Sequence, residues 1–112
     1  MPLFTKRFKK ADFNNLFEKG KTIAGEPVFL KFRRNNLKNN RFCFVVSLKV
    51  SKKSTIRNRI KRQLKNAVRE NIKNIKPGLD IAIIAKPGII GKRYWEIKEE
   101  IENLFQKLNL YK

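Results

Sequence analysis

The chain has no histidine, a single cysteine, and 9 acidic residues against 28 basic ones among its 112. Without histidine it lacks the side chain that most often moves protons near neutral pH, so RNA cleavage by acid–base chemistry of the polypeptide itself is not expected. Cys43 has no imidazole to activate it and no second thiol to pair with. A disulfide framework and a cysteine zinc site are both excluded, and Cys43 reads as a small buried hydrophobe. No apolar run approaches the ~18 residues of a membrane span. The N-terminus is charged from Lys6 on with no apolar core behind it, so no secretory signal is expected and the expected location is cytoplasmic. There is also no glycine-rich phosphate loop of the Walker type, no internal repeat and no low-complexity linker.

What is abundant is positive charge. The formal net charge is +19, with a pI near 10.6. Such a surplus implies a polyanionic partner: RNA, DNA or an anionic membrane surface. The membrane is the weakest of the three, because the most basic stretch lacks a wide aromatic face. At this length the chain is expected to form one RNA-binding domain over residues 1–112, with a real hydrophobic core.

The surplus is concentrated. Between Lys49 and Lys76 there are eleven Lys or Arg against one acid, Glu70, so this segment carries 11 − 1 = +10 of the total. Within it, Ser54 to Arg69 has helical periodicity at about 100° per residue. Ile56, Ile60, Leu64 and Ala67 fall on one side, continued by Asn71 and Ile75, while Asn58, Arg62, Lys65, Arg69 and Lys73 fall opposite. Arg59 and Lys61 lie on the flanks and Arg57 in the first turn. Ser54 or Thr55 is the expected N-cap, and Pro77-Gly78 the stop. A solvated surface face normally mixes signs; one this uniformly cationic suits a polyanion better.

The remaining elements read as support. Met1 to Lys9 is a basic arm with Leu3, Phe4 and Phe8 as anchors. Asp12 can cap a short helix that runs to Lys19 and ends at Gly20, placing Phe13, Leu16 and Phe17 on one face. These rings serve either the core or the stacking of bases. Glu26 to Arg34 alternates, with Val28, Leu30 and Phe32 on one face and Phe29, Lys31 and Arg33 on the other, a mixture that can bind single-stranded nucleic acid. A polar turn, Asn35 to Asn40, leads to Arg41–Leu48, which is apolar on both sides and therefore expected to be a central strand. Leu79 to Ala85 is expected to be a second buried strand, in parallel pairing across the basic helix. A last amphipathic helix, about Tyr94 to Leu110, carries Ile97, Ile101, Leu104, Phe105 and Leu108 as its packing stripe. Its charges balance, so Glu96, Glu99, Glu100 and Glu102 read as ion-pair partners rather than a metal site.

The run Arg57-Asn58-Arg59-Ile60-Lys61-Arg62, preceded by Val46-Ser47-Leu48-Lys49-Val50-Ser51, resembles the signature of the protein subunit of bacterial ribonuclease P. Arg7-Phe8, Phe13, Phe17 and Gly20 look like that family's first helix, and Gly78-Leu79-Asp80-Ile81 like the strand after its signature helix. The resemblance implies an α+β fold, a small αβββαβα two-layer sandwich of the ribosomal-protein domain-2-like type with a left-handed βαβ crossover. It implies that catalysis belongs to a large partner RNA whose Mg2+ ions generate the attacking hydroxide as the 5′ leader is cut from precursor tRNA. The protein would be a non-catalytic subunit that binds the leader and promotes Mg2+ and substrate affinity, with no obligate protein partner.

Carried onto this chain, Arg57, Asn58, Arg59, Lys61, Arg62, Lys65 and Arg69, with Lys49 and Lys53 of the preceding connector, would meet RNA. Phe13, Phe17, Phe29, Lys31 and Arg33 would line the leader cleft. The sequence departs from the family pattern in three places. Lys65-Asn66-Ala67-Val68-Arg69 lacks the usual guanidinium and aromatic at the end of the signature, Leu48 stands where a lysine is common, and Lys31 occupies a strand position that often carries a cleft aromatic. The rival reading is a structural RNA-binding protein of the ribosomal kind; non-specific DNA binding is a third.

Overall fold

Strand alternation, helical periodicity and two glycine-bearing turns give the chain seven principal elements. The structure, a computed structural model, describes residues 10–111. The elements are α1 (Lys10–Lys19), β1 (Lys21–Ile23), β2 (Val28–Arg34), β3 (Arg41–Val45), α2 (Ser54–Asn71), β4 (Leu79–Ala85) and α3 (Tyr94–Lys107). A 3-10 turn, Ile72–Asn74, extends α2, and another, Pro87–Ile89, leads towards α3. The order is the expected αβββαβα. The proposed arm, Met1 to Lys9, lies outside the described residues.

The sheet runs β1-β2-β4-β3. β2 is antiparallel to both β1 and β4, and β3 is parallel to β4, with α2 as the crossover between them. The expectation of a central strand at Arg41–Leu48 is thereby corrected: β3 is the edge, it ends at Val45, and β4 separates it from β2. Its apolar residues are used by different neighbours on the two faces, which mimics in sequence a strand flanked by two others. β4 itself, LDIAIIA, is the central strand, and its burial accounts for its continuous apolarity.

One face of the sheet makes the core. Val28 and Leu30 of β2, Ile81, Ile83 and Ala85 of β4 and Phe42 of β3 pack against Ile60, Leu64, Ala67 and Val68 of α2 and Ile97, Ile101, Leu104 and Phe105 of α3. Each large side chain fully buried here contributes on the order of 2 kcal/mol. Within this layer Asn71 is polar yet 8% exposed. Its Nδ2 donates to the Ala67 carbonyl (2.9 Å) and to Glu102 Oε2 (3.0 Å), and its Oδ1 accepts from the Tyr111 hydroxyl (3.1 Å), so the buried amide ties α2 to α3 and to the chain's end.

The opposite face is crossed by α1. Leu16 is 1% exposed against it, and Lys31 Nζ donates to the Phe17 carbonyl at 3.1 Å. The helix begins at Lys10, two residues before the Asp12 cap expected from the sequence. It ends at Gly20, as expected, where the amide N–H donates to the Leu16 carbonyl at 2.9 Å. A Cβ on Gly20 would lie 2.3 Å from that carbonyl oxygen and 3.0 Å from that of Phe32, so the close approach of helix to strand requires glycine.

Candidate RNA interface

Helical geometry divides the α1-bearing face in two. About 100° per residue places Phe13 and Phe17 on one flank of the sheet-facing Leu16 and Asn15 on the other. On the first flank the Phe13 and Phe17 rings stack with centroids 4.5 Å apart, and Lys31 Nζ stands 5.1 Å from the Phe17 centroid. Phe29, two residues along β2 from Lys31 and on the same face, is half-buried with Lys86 Nζ 5.6 Å from its ring. β-ladder register puts Ile84 opposite Phe29, Ala82 opposite Lys31, and Cys43 and Val45 beside them on β3. The result is a shallow cleft of rings, aliphatic side chains and lysines, suited to unpaired bases and their phosphates.

Arg33 shares this face of β2 but opens on the other flank of α1, into a recess with Asn15, Arg34, Asn35, Asn36, Arg41 and Asp80. Of the five residues expected in the cleft, the structure gathers Phe13, Phe17 and Lys31 tightly, sets Phe29 further along, and separates Arg33. Strand alternation identified the face; only the tertiary path of α1 decides the flank.

The basic helix turns its cations away from the core. Asn58, Arg59, Arg62, Lys65 and Arg69 are exposed, as are Lys49 and Lys53, whereas Arg57 and Lys61 are half-buried. Arg57 Nη1 donates to the Ser51 carbonyl at 2.9 Å, fixing the connector against the first turn. Burial pushes the Cys43 thiol above its ordinary value, and the Lys61 charge pulls it part of the way back. Among the described residues no Lys or Arg of α2 forms an ion pair. The helix's own acid, Glu70, is engaged with Lys98 and the Tyr94 hydroxyl on α3. Hydrogen bonds from these two groups hold its carboxyl below the usual range.

The start of α2 departs from the expected capping. The N-cap is Lys53, in extended conformation and without a side-chain hydrogen bond, so neither Ser54 nor Thr55 holds that place. No acid stands in the first turn. The positive end of the helix dipole is thus left uncompensated next to Lys53 and Arg57, an arrangement that favours phosphate.

Among the described residues no three His, Cys, Asp or Glu side chains converge to hold a metal ion, and no helix is long and apolar enough to cross a membrane.

A family model for ribonuclease P matches residues 5–109. The ribonuclease P protein component of Clostridium acetobutylicum is 38% identical over 104 residues, covering 91% of this chain and 87% of the relative. That of Caldanaerobacter subterraneus is 35% identical over 107 residues, covering 96% and 91%. Among solved structures, the RNase P protein of Thermotoga maritima superposes with a TM-score of 0.83 at 29% identity, over 91% of this chain and 96% of that one. The Staphylococcus aureus RNase P protein, at 22% identity, shares the fold with a TM-score of 0.84 over 95% of this chain and 96% of that one.

Proposed function

Because this chain belongs to the ribonuclease P protein family, we propose that it serves as the protein component of a ribonucleoprotein that removes the 5′ leader from precursor tRNA, with the catalytic centre in the partner RNA. Its α2 cations meet RNA, and the cleft between α1 and the sheet takes the single-stranded leader. The observation that carries this reading is the presence of two surfaces: a helix whose Lys and Arg form no ion pair among the described residues, and a cleft bearing the stacked Phe13 and Phe17 rings beside Lys31.

The division of labour follows from the side chains. Arg57, Arg59, Lys61, Arg62, Lys65 and Arg69, with Asn58, Lys49 and Lys53, neutralise phosphates and lower the repulsion between two RNAs brought together. Phe13 and Phe17 offer a stacked pair on which bases can lie, and Lys31 and Phe29 extend that floor along β2. Mg2+ belongs to the partner RNA in this reading, whose phosphate oxygens are the hard ligands it prefers. The protein raises Mg2+ and substrate affinity by supplying positive charge where phosphates crowd. The cytoplasm, where precursor tRNA is met, is the corresponding location.

The test is reconstitution. Added to a bacterial ribonuclease P RNA and precursor tRNA at low Mg2+, the purified chain is expected to raise 5′-leader cleavage, and its contribution to substrate affinity to shrink when the leader is cut back to one nucleotide. No gain in cleavage overturns the proposal; a gain independent of leader length overturns the cleft assignment alone.

A further inference from the structure

The recess on the far flank of α1 is built differently from the cleft. Its volume is about 220 Å³, several times the share of one water in the liquid. Among the described residues that line it are three arginines, Arg33, Arg34 and Arg41, and one acid, Asp80. The carboxylate is already engaged. Its Oδ1 accepts from Arg41 Nε at 2.7 Å and Asn35 Nδ2 at 2.9 Å, and its Oδ2 from Arg41 Nη2 at 2.6 Å. Asn35 is itself held in place, its Nδ2 also donating to the Asn39 carbonyl and its Oδ1 accepting from the Leu37 N–H. The floor is therefore a polar network whose acid is bonded to Arg41 and Asn35 rather than to Arg33 or Arg34.

Arg33 and Arg34 are exposed and, among the described residues, their side chains make no ion pair or hydrogen bond; the same holds for the side chains of Asn15 and Asn36. Two arginines and two asparagines thus border an open concavity, and among the described residues their side-chain donors are unspent. That donor set matches an anion with several acceptor oxygens at different angles, and guanidinium is the group best shaped to take it.

Resting on the proposed role in precursor tRNA processing, we infer that this recess is a second RNA contact, a subsite for a phosphodiester group, separated from the aromatic cleft by the α1 ridge. Arg33 and Arg34 hold the phosphate oxygens, Asn15 donates from α1 and Asn36 from the β2–β3 turn. The phosphodiester comes from the leader after it has crossed α1, or from the catalytic RNA; the chemistry at the site is the same.

The test uses Arg33→Gln/Arg34→Gln in the full chain, with Asn15→Asp as a second variant that places a carboxylate in the recess without touching either arginine. All three positions are exposed, so the thermal midpoint should match wild type. Affinity is measured for the catalytic RNA alone and, in the reconstituted holoenzyme, for precursor tRNA with a long and a one-nucleotide leader. A loss of about tenfold is expected for the double variant. The slope of log affinity against log salt should fall by about 0.7 to 0.9, the value of one phosphate. A loss confined to the long leader assigns the subsite to the leader; a loss in catalytic RNA binding assigns it to that RNA. Unchanged affinities and slope in both arms overturn the inference, while a Phe13→Ala/Phe17→Ala variant that still loses its leader-dependent affinity leaves the cleft reading standing. If wild type fails to raise cleavage at all, both fall together.

Discussion

Arg41 and Asp80 occupy paired positions in the parallel β3–β4 ladder and meet edge to edge, Nε on Oδ1 at 2.7 Å and Nη2 on Oδ2 at 2.6 Å, with side chains only 13% and 10% exposed. The contact fastens the first residue of an edge strand to the central one. Removing the carboxylate's charge breaks a nearly buried ion pair, so Asp80→Asn should lower unfolding free energy by about 3 kcal/mol. Urea denaturation checks this. Arg41→Met/Asp80→Leu should lose less than either single change, because both charges of the pair are then removed together.

Gly20 couples stability to substrate. Its Cβ-free backbone lets the end of α1 lie against β2, and Gly20→Ala forces a contact of 2.3 Å with the Leu16 carbonyl apart. The expected cost is about 1–3 kcal/mol, the range for overpacking. The displaced helix carries Phe13 and Phe17, so leader-dependent affinity should fall while affinity for the catalytic RNA changes little. Equal losses in both would mean that the whole domain is disturbed.

Tyr94 supplies a pH signature. Burial first, then its hydrogen bond to Glu70, pushes the phenol up to about 12 from 10.0, and burial also raises Tyr111. A folded-state value above the unfolded one stabilises the fold fully below pH 10 and loses that contribution as pH climbs towards 12. For Glu70 the sign is opposite: its lowered carboxyl stabilises above the ordinary carboxylate range and the contribution is lost on acidification. Absorbance titration at alkaline pH should show both tyrosines ionising late, and Tyr94→Phe should remove the later of the two steps. A single step near pH 10 would contradict the Tyr94–Glu70 contact.

On α2, Arg59→Ala and Arg62→Ala should each weaken binding to the catalytic RNA by about 1–3 kcal/mol, the range for charge-assisted contacts, without altering the thermal midpoint, since both side chains are exposed. Lys107→Ala, in the last turn of α3, is the reference. Losses no greater than that of the reference would make the face an ordinary solvated one.

Much of this was legible in the chain itself. β4 has the limits that its apolar run suggests, and the stripes Ile60-Leu64-Ala67 and Ile97-Ile101-Leu104-Phe105 pack as their spacing requires. Leu108, the last of the second stripe, is half-buried beyond the end of α3. What escaped is long-range. Apolarity on both faces shows that β3 is covered but not by what, so its edge position was hidden. β1 is three residues long and largely exposed, too short to leave a pattern. The spacing places Asn71 on the packing side but cannot supply its three partners, Ala67, Glu102 and Tyr111, two of them more than thirty residues away. Arg34 and Asn15 carried no separate signal, since a recess between a helix flank and a strand end exists only once α1 is laid across the sheet.

The placement of the acids has a kinetic consequence. Six of the nine, Glu26, Glu70, Glu96, Glu99, Glu100 and Glu102, lie on α3 or are bonded to it or to its Glu100. The exposed cations of α2 look out from another side. A body so polarised experiences a torque in the field of a polyanion before any contact forms, and it arrives with α2 leading. Association should therefore be fast at low ionic strength and slow steeply as salt is added, with mispositioned encounters rejected in transit rather than after docking.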